Sequence, residues 1–559
     1  MRRLFPVLVL LLANAVPAIT LVKDGKSDYS IVLPENASPS QKHAADELQH
    51  YIEAMSGAKL PIESSAKAEH AIVLKTDTSL GDEGCQFSTS GDKLTISGSH
   101  VRGTMYGVYT LLDRLGVRWF TPKIERVPKM ATIEIPSLDE TQNPAFEYRE
   151  PNFKEAMDRN WAARNRVNGA GCDLDASVGG KVTYYPFVHT FDQLIPQSLY
   201  KDHPEYFPFV NGKRKGGYVQ RCLSNPEVLK LAIAQVKQWM AQHPEAMIYS
   251  VSQNDCGDWC QCDPCKALIA KYGSISGEYI WFVNQVAEAV EKDHPVKLID
   301  TLAYQFTEAA PTNIAPRKNV RVRLCPISVC EAHPYEQCTH PNTKNFMKAL
   351  SEWGKITDTL YIWHYNTDFA NYLMPFPDFG EFPAELKLYK KSGVKGVFFE
   401  GAYNTFGASD AELRSYVMAK CLWNEQEDAD KLVTEWMQGV YGKGWQPMRQ
   451  WFDLLHEKVK PADRHFFIYD GPSIHYLAGD TLAKGDQFFD QAQKLTVEDR
   501  AAWLEIQKAR LWLRYVKIAQ GKSDQKEIDE FVKACRYFKI TMITEGQGLD
   551  AWAAAHKAK

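Results

Sequence analysis

Between residues 146 and 403 the chain repeats one pattern: a short apolar run of strand length, then a stretch with helical periodicity. The runs fall at 146–149, 183–188, 247–250, 298–304, 320–324, 360–365 and 394–399. Strand–helix alternation over about 250 residues is what a (β/α)8 TIM barrel requires. Seven strands are visible, and the eighth is expected between Tyr206 and Cys222.

The rest of the chain divides around this core, since 559 residues exceed what one hydrophobic core supports. Residues 1–18 read as a secretory signal peptide: Arg2 and Arg3, an apolar run to Leu12, then Ala13, Ala15 and Ala18. A secreted or periplasmic protein is therefore expected. Residues 21–136 predict a small α/β sandwich domain. Its strands are expected at 29–33, 71–74 and 94–98, and one helix spans 106–115. Another is signalled by Ser38, Pro39 and Gln41 at its start and Gly57 at its end. Residues 137–144, mostly polar and ending in Pro144, read as a linker before the barrel at 145–405. Residues 406–559 predict a C-terminal helical region, with helices at 411–423, 428–441, 446–459, 480–494 and 500–519. No later segment is a continuous apolar twenty-mer, so no membrane insertion is expected after signal cleavage. A net charge of −4 gives no footprint for nucleic acid. No pattern specifies an oligomer.

Barrel enzymes build their sites at the C-terminal ends of the strands. The run at 247–250 leads to Asn254 and Asp255, and the last run ends in Glu400. A carboxylate placed where a buried strand surfaces either pairs with a cation or takes part in chemistry. Two on one rim can flank a scissile glycosidic bond, one as acid and the other as nucleophile or base. An acetamido sugar offers another route, in which its own carbonyl attacks and Asn254–Asp255 assists. Asp255 and Glu400 are therefore the expected catalytic pair. His189, Tyr304, Trp363, His364, Tyr365, Asn366 and Tyr403 also sit at strand ends and are expected to bind a glycan, with Asn254; Trp259 offers a face for a sugar ring. Capping and packing roles are the alternatives for each. No nucleophile elbow, phosphate-cradling loop or catalytic zinc motif is present, so no catalytic cofactor is expected.

Cys256, Cys260, Cys262 and Cys265 have the spacing of ligands, and four thiolates can hold a structural zinc. In an exported protein disulfides are the default. Cys325, Cys330 and Cys338 offer a second staple.

Two groups of motifs resemble known families. Residues 98–122, from Gly98-Ser-His-Val-Arg-Gly to Trp119-Phe-Thr-Pro122, are similar to the small α/β domain before the barrel of α-glucuronidases and β-N-acetylhexosaminidases. Three elements resemble the domain of unknown function 4838, grouped as glycoside hydrolase family 163: His203-Pro-Glu-Tyr-Phe207, Ser252-Gln-Asn-Asp255 with the Cys-x-Cys-x-x-Cys element, and Phe399-Glu-Gly401. The resemblance covers about residues 33–441. It implies an endo-β-N-acetylglucosaminidase that cuts within the chitobiose core of N-glycans on glycoproteins, with its acid among Asp255 and Glu400. Cys256-Gly-Asp-Trp259 departs from the family's more glycine-rich loop, which puts a different glycan in view. An exo-acting enzyme such as an α-glucuronidase would need a basic cluster for a uronate, and none is seen at the strand ends. A non-catalytic glycan-binding protein would keep the 363–366 cluster but release no sugar.

Overall fold

The computed structural model describes residues 19–64 and 69–556; the segment read as a signal peptide lies outside the described residues. The chain forms two compact units. The first contains residues up to 118 with 126–143 and 176–179. Its elements are β1 (Ile19–Val22), β2 (Ser30–Val32), α1 (Pro39–Ser56), β3 (Ile62–Glu63), β4 (Ala71–Thr76), β5 (Cys85–Ser90), β6 (Lys93–Gly98), α2 (Gly103–Arg114), β7 (Ile133–Ile135) and β8 (Asp139–Gln142). One mixed sheet runs β8–β5–β6–β4–β2–β3, and β1 pairs with β7 beside it. Ser38 caps α1 in a full capping box with Gln41, and Gly57 ends it in the left-handed region. The stretch read as a linker contains a strand instead: β8 pairs antiparallel with β5. Its polar residues suit an edge strand, which is why it lacks an apolar signature.

The second unit holds a curled sheet and the C-terminal helices. Six parallel strands run β9 (Tyr148–Asn152), β14 (Gly396–Glu400), β13 (Leu360–Tyr365), β12 (Val320–Leu324), β11 (Leu298–Ala303) and β10 (Ile248–Ser250). The helices α3 (Pro226–Gln242), α4 (Asp263–Tyr272), α5 (Ile275–Glu291), α6 (Pro341–Ile356) and α7 (Phe382–Lys391) fall between them in the chain. The sheet forms part of a barrel; eight regular strands are not present among the described residues. Residues 183–188 form no regular strand but join β10 at a single parallel bridge, Tyr184 opposite Ile248, with the Tyr185 N–H donating to Ile248 O at 2.9 Å and the Ile248 N–H to Thr183 O at 3.1 Å. The strand expected between Tyr206 and Cys222 is absent. Phe209–Val210 and Lys213–Arg214 form a short antiparallel hairpin there, a geometry that turn residues Asn211 and Gly212, both at positive φ, impose. Irregular chain spans the gap between β9 and β10: the Asn168 N–H donates to Arg149 O (3.2 Å) and the Val182 N–H to Asn168 O (2.9 Å).

Beyond β14 come α8 (Ala411–Trp423), α9 (Ala429–Tyr441), α10 (Trp445–Val459), α11 (Thr481–Leu495), α12 (Arg500–Ala519), α13 (Gln525–Tyr537) and α14 (Leu549–Ala555). They belong to the same compact unit as the sheet. None of the described helices is long and apolar enough to cross a membrane.

Candidate active site

At the C-terminal ends of the parallel strands lies a cavity of about 240 Å³, lined by Val188, His189, Asp255, Leu302, Tyr304, Cys325, Ile327, Trp363, Tyr365, Phe369, Glu400, Tyr469 and Glu545. A larger cavity of about 640 Å³ opens elsewhere in the second unit, around Lys154, Asp158, Phe406 and Lys508. The smaller one is the chemical candidate, because three carboxylates converge on it where barrel strands end.

Glu400 arrives by strand geometry. Val397, Phe398 and Phe399 are buried on β14, and the next residue emerges at the rim. Gly401 then lets the chain turn close to Phe153, where any Cβ would fall 2.3 Å from the ring. The Trp363 Nε1–H donates to Glu400 Oε2 at 2.8 Å. Burial pushes the Glu400 carboxyl up to about 8, the indole bond works against this, and the charges of Glu545 and Asp255 add to it. Glu400 therefore carries its proton at neutral pH.

Asp255 stands exposed at the rim. Its Oδ1 accepts from the Tyr304 hydroxyl at 3.2 Å, which in turn accepts from Gln305 Nε2 at 2.9 Å. Its backbone N–H donates to the Tyr218 hydroxyl at 3.0 Å. His189 Nδ1 bonds the Gln253 carbonyl at 2.8 Å; a carbonyl only accepts, so Nδ1 carries a proton in this contact. His189 and Gln305 both have positive φ, 53° and 52°, a costly backbone region that clusters at functional sites.

Several expected contacts do not face the cavity. The side chains of β13 alternate: Trp363 and Tyr365 line the cavity, while His364 points to the opposite face, where its Nδ1 meets the Tyr389 hydroxyl at 2.8 Å and its Nε2 lies 3.4 Å from Glu381. Asn366 is fully buried and donates to Asp378 at 2.9 Å. Asn254 is likewise buried, donating to Asp192 Oδ1 (2.7 Å) and Val219 O (2.8 Å); it fastens the loop that presents Asp255. Trp259 stacks on Phe306 at 5.1 Å between ring centroids and does not line the cavity. Tyr403 does not line the cavity but lies near Glu545 and Glu400, whose charges raise its pKa after burial has done so.

Among the cavity residues that escaped the sequence reading are Tyr469 and Glu545. Both come from loops of the C-terminal region: the Phe369 N–H donates to Ile468 O at 2.8 Å and the Glu545 N–H to Phe369 O at 2.9 Å. Neither loop has a periodic signal, and each is far from the barrel in sequence.

The cysteine expectation also changes. The described cysteines are all free thiols. Cys260, Cys262 and Cys265 gather around Cys222, with sulfur separations of 3.7 Å (Cys222–Cys262), 3.8 Å (Cys222–Cys265) and 3.4 Å (Cys260–Cys262), far beyond the roughly 2.05 Å of a disulfide. Cys256 is outside the group and accepts from Gln220 Nε2 at 3.4 Å. Cys325 lines the cavity and takes no part in a staple with Cys330 and Cys338.

Residues 119–453 match the model of a domain of unknown function (DUF4838). The chain belongs to the DUF4838 family. Residues 19–134 match domain 2 of glycosyl hydrolase family 20, in agreement with the small α/β unit before the sheet. No curated protein matches the chain. Among solved structures it is similar to a family GH115 4-O-methyl-α-glucuronidase with specificity for decorated arabinogalactans. The TM-score is 0.57 at 13% identity over 93% of this chain and 76% of that one. It is also similar to a GH138 enzyme targeting pectin rhamnogalacturonan II, with TM-score 0.56 at 10% identity over 95% and 78% of the two chains. At such identities the likeness establishes a shared fold. This DUF4838 member thus has the architecture on which those glycoside hydrolases are built.

Proposed function

We propose that this protein is an exported glycoside hydrolase in which Glu400 is the general acid and Asp255 its partner. The observation that carries this reading is Glu400 itself: a half-buried carboxyl at a strand end, held by the Trp363 indole and with its pKa raised to about 8, in one cavity with an exposed second carboxylate. A proton poised near pH 8 can be delivered to the glycosidic oxygen as the bond breaks. Asp255, held by the Tyr304 hydroxyl, supplies negative charge to the cationic sugar centre or orients an acetamido group that attacks it.

The finer reading is an endo-β-N-acetylglucosaminidase acting on N-glycans of glycoproteins, supported by the DUF4838 membership and the motifs that resemble family 163. A uronate-cleaving exo-enzyme fits less well. None of the thirteen residues lining the cavity is Lys or Arg, and three are carboxylates, so a substrate carboxylate would be repelled.

The test is release of sugars from N-glycoproteins, read by mass spectrometry. A single GlcNAc left on asparagine is the expected product, whereas a free monosaccharide would replace the endo reading with an exo one. Glu400→Gln and Asp255→Asn should each lower turnover by about 10²–10⁴-fold with the fold intact. Near-normal rates in both variants would remove the assignment.

A further inference from the structure

Away from the cavity, two cysteine-containing groups have the composition and spacing of structural metal centres. We infer that Cys330, His333, Cys338 and His465 hold a structural zinc ion that clamps the loop following β12 to the segment 461–470 of the C-terminal region. One ligand atom from each of the four lies within 4.8 Å of all the others. His465 Nδ1 is 3.2 Å from Cys330 Sγ and 3.9 Å from Cys338 Sγ, and His333 Nδ1 is 3.6 Å from Cys330 Sγ. With Zn–S near 2.3 Å and Zn–N near 2.05 Å, a tetrahedron has S···N edges of about 3.6 Å. The observed edges bracket that value.

The surroundings prepare the ligands. His333 Nε2 lies 3.1 Å from the Pro461 carbonyl, so Nε2 carries the proton and Nδ1 keeps its lone pair toward the sulfurs. The Ala332 N–H donates to Cys330 Sγ at 3.3 Å, a bond that favours thiolate. Binding releases one proton from each of the two thiols, and two thiolates with two neutral imidazoles leave the centre uncharged. The clamp bears on the candidate site. The Glu331 N–H donates to Phe466 O at 3.0 Å, and three residues further on Tyr469 lines the cavity.

An independent group, Cys222, Cys260, Cys262 and Cys265, fits a second zinc. Its sulfur separations of 3.4–3.8 Å match the S···S edge of about 3.8 Å in a tetrathiolate centre. The Phe209 N–H donates to Cys260 Sγ at 3.3 Å, and Arg214 Nη1 sits 3.8 Å from the same sulfur, offsetting part of the net negative charge.

The full-length protein, purified without chelator, should contain two zinc ions per chain by elemental mass spectrometry. His465→Ala and Cys330→Ser should each leave one, as should Cys260→Ser with Cys265→Ser. Zinc content unchanged by a variant overturns that site. For variants that fail to fold, the wild-type protein suffices: cobalt substitution should give thiolate-to-metal charge-transfer bands, and chelation should speed hydrogen exchange in 461–470. A metal-free protein in which Cys330 and Cys338, or the four clustered thiols, resist alkylation until reduced would show disulfides and overturn both centres. These readouts are independent of glycosidase activity.

Discussion

At the scale of single residues, the chemistry turns on the charge around Glu400. Because the acid must be protonated, the rate should fall as pH rises through about 8. Two substitutions should move that limb in opposite directions. Glu545→Gln removes a negative charge that raises the Glu400 pKa, so the limb shifts to lower pH. Trp363→Phe removes the 2.8 Å N–H bond to the carboxylate, which favours the ionised form, so the limb shifts to higher pH. A pH–rate profile of each variant checks both signs. The same raised pKa bears on stability. The folded state holds the proton up to about 8, whereas an unfolded Glu releases it near 4.3. Stability is thus intact below the unfolded value and falls as pH rises between the two, by about 1.4 kcal/mol per pH unit. Glu400→Gln should therefore raise the thermal midpoint more at pH 8 than at pH 5, measured by calorimetry on both proteins. Asp255 and Glu400 were legible because each follows an apolar run. His364 was misplaced because a polar cluster in sequence does not reveal which strand face is inward.

Elements set these residues in position. β14 is a buried parallel strand, and its last turn is shaped by Gly401 against Phe153. Gly401→Ala would drive the ring or the strand end away and displace Glu400. Turnover should drop by an order of magnitude or more while KM changes less, together with a loss of stability in denaturant titration. The runs of β10 to β14 announced themselves because burial on both faces makes such strands largely hydrophobic, with buried polar exceptions such as Asp300 and Arg323. The edge strand β8 and the hairpin at 209–214 did not, since solvent contact and turn geometry leave no such demand. The C-terminal helices α8 to α12 were legible from their periodicity. Helices α13 and α14 were missed: α13 buries only Phe531, Val532 and Cys535, and α14 only Leu549 and Trp552.

Across the whole molecule, the floor of the barrel holds a charge that composition conceals. Arg323 is fully buried, 3.4 Å from the buried Asp300 and within 4.6–5.8 Å of the rings of Tyr184, Phe187, Trp363 and Phe398. Burial lifts the Asp300 carboxyl to about 6, against the pull of Arg323. Arg323→Met would leave that carboxylate with the Ser250 hydroxyl at 3.2 Å but no counter-charge, costing about 3–5 kcal/mol. Arg323→Met with Asp300→Asn should recover part of this, a coupling that a double-mutant cycle in urea would read. The pair ties β11 to β12 below Trp363, so floor and acid share one aromatic scaffold.

By itself the sequence determined the strand–helix alternation, the strand ends that present Asp255 and Glu400, and the capping of α1, because hydrophobic period and cap chemistry act between near neighbours. Tertiary structure alone decided which partners meet across long separations: Cys222 with Cys265, His465 with Cys330, and Glu545 with Glu400. Those meetings depend on how segments far apart in the chain are brought together by the fold, and no local pattern encodes them.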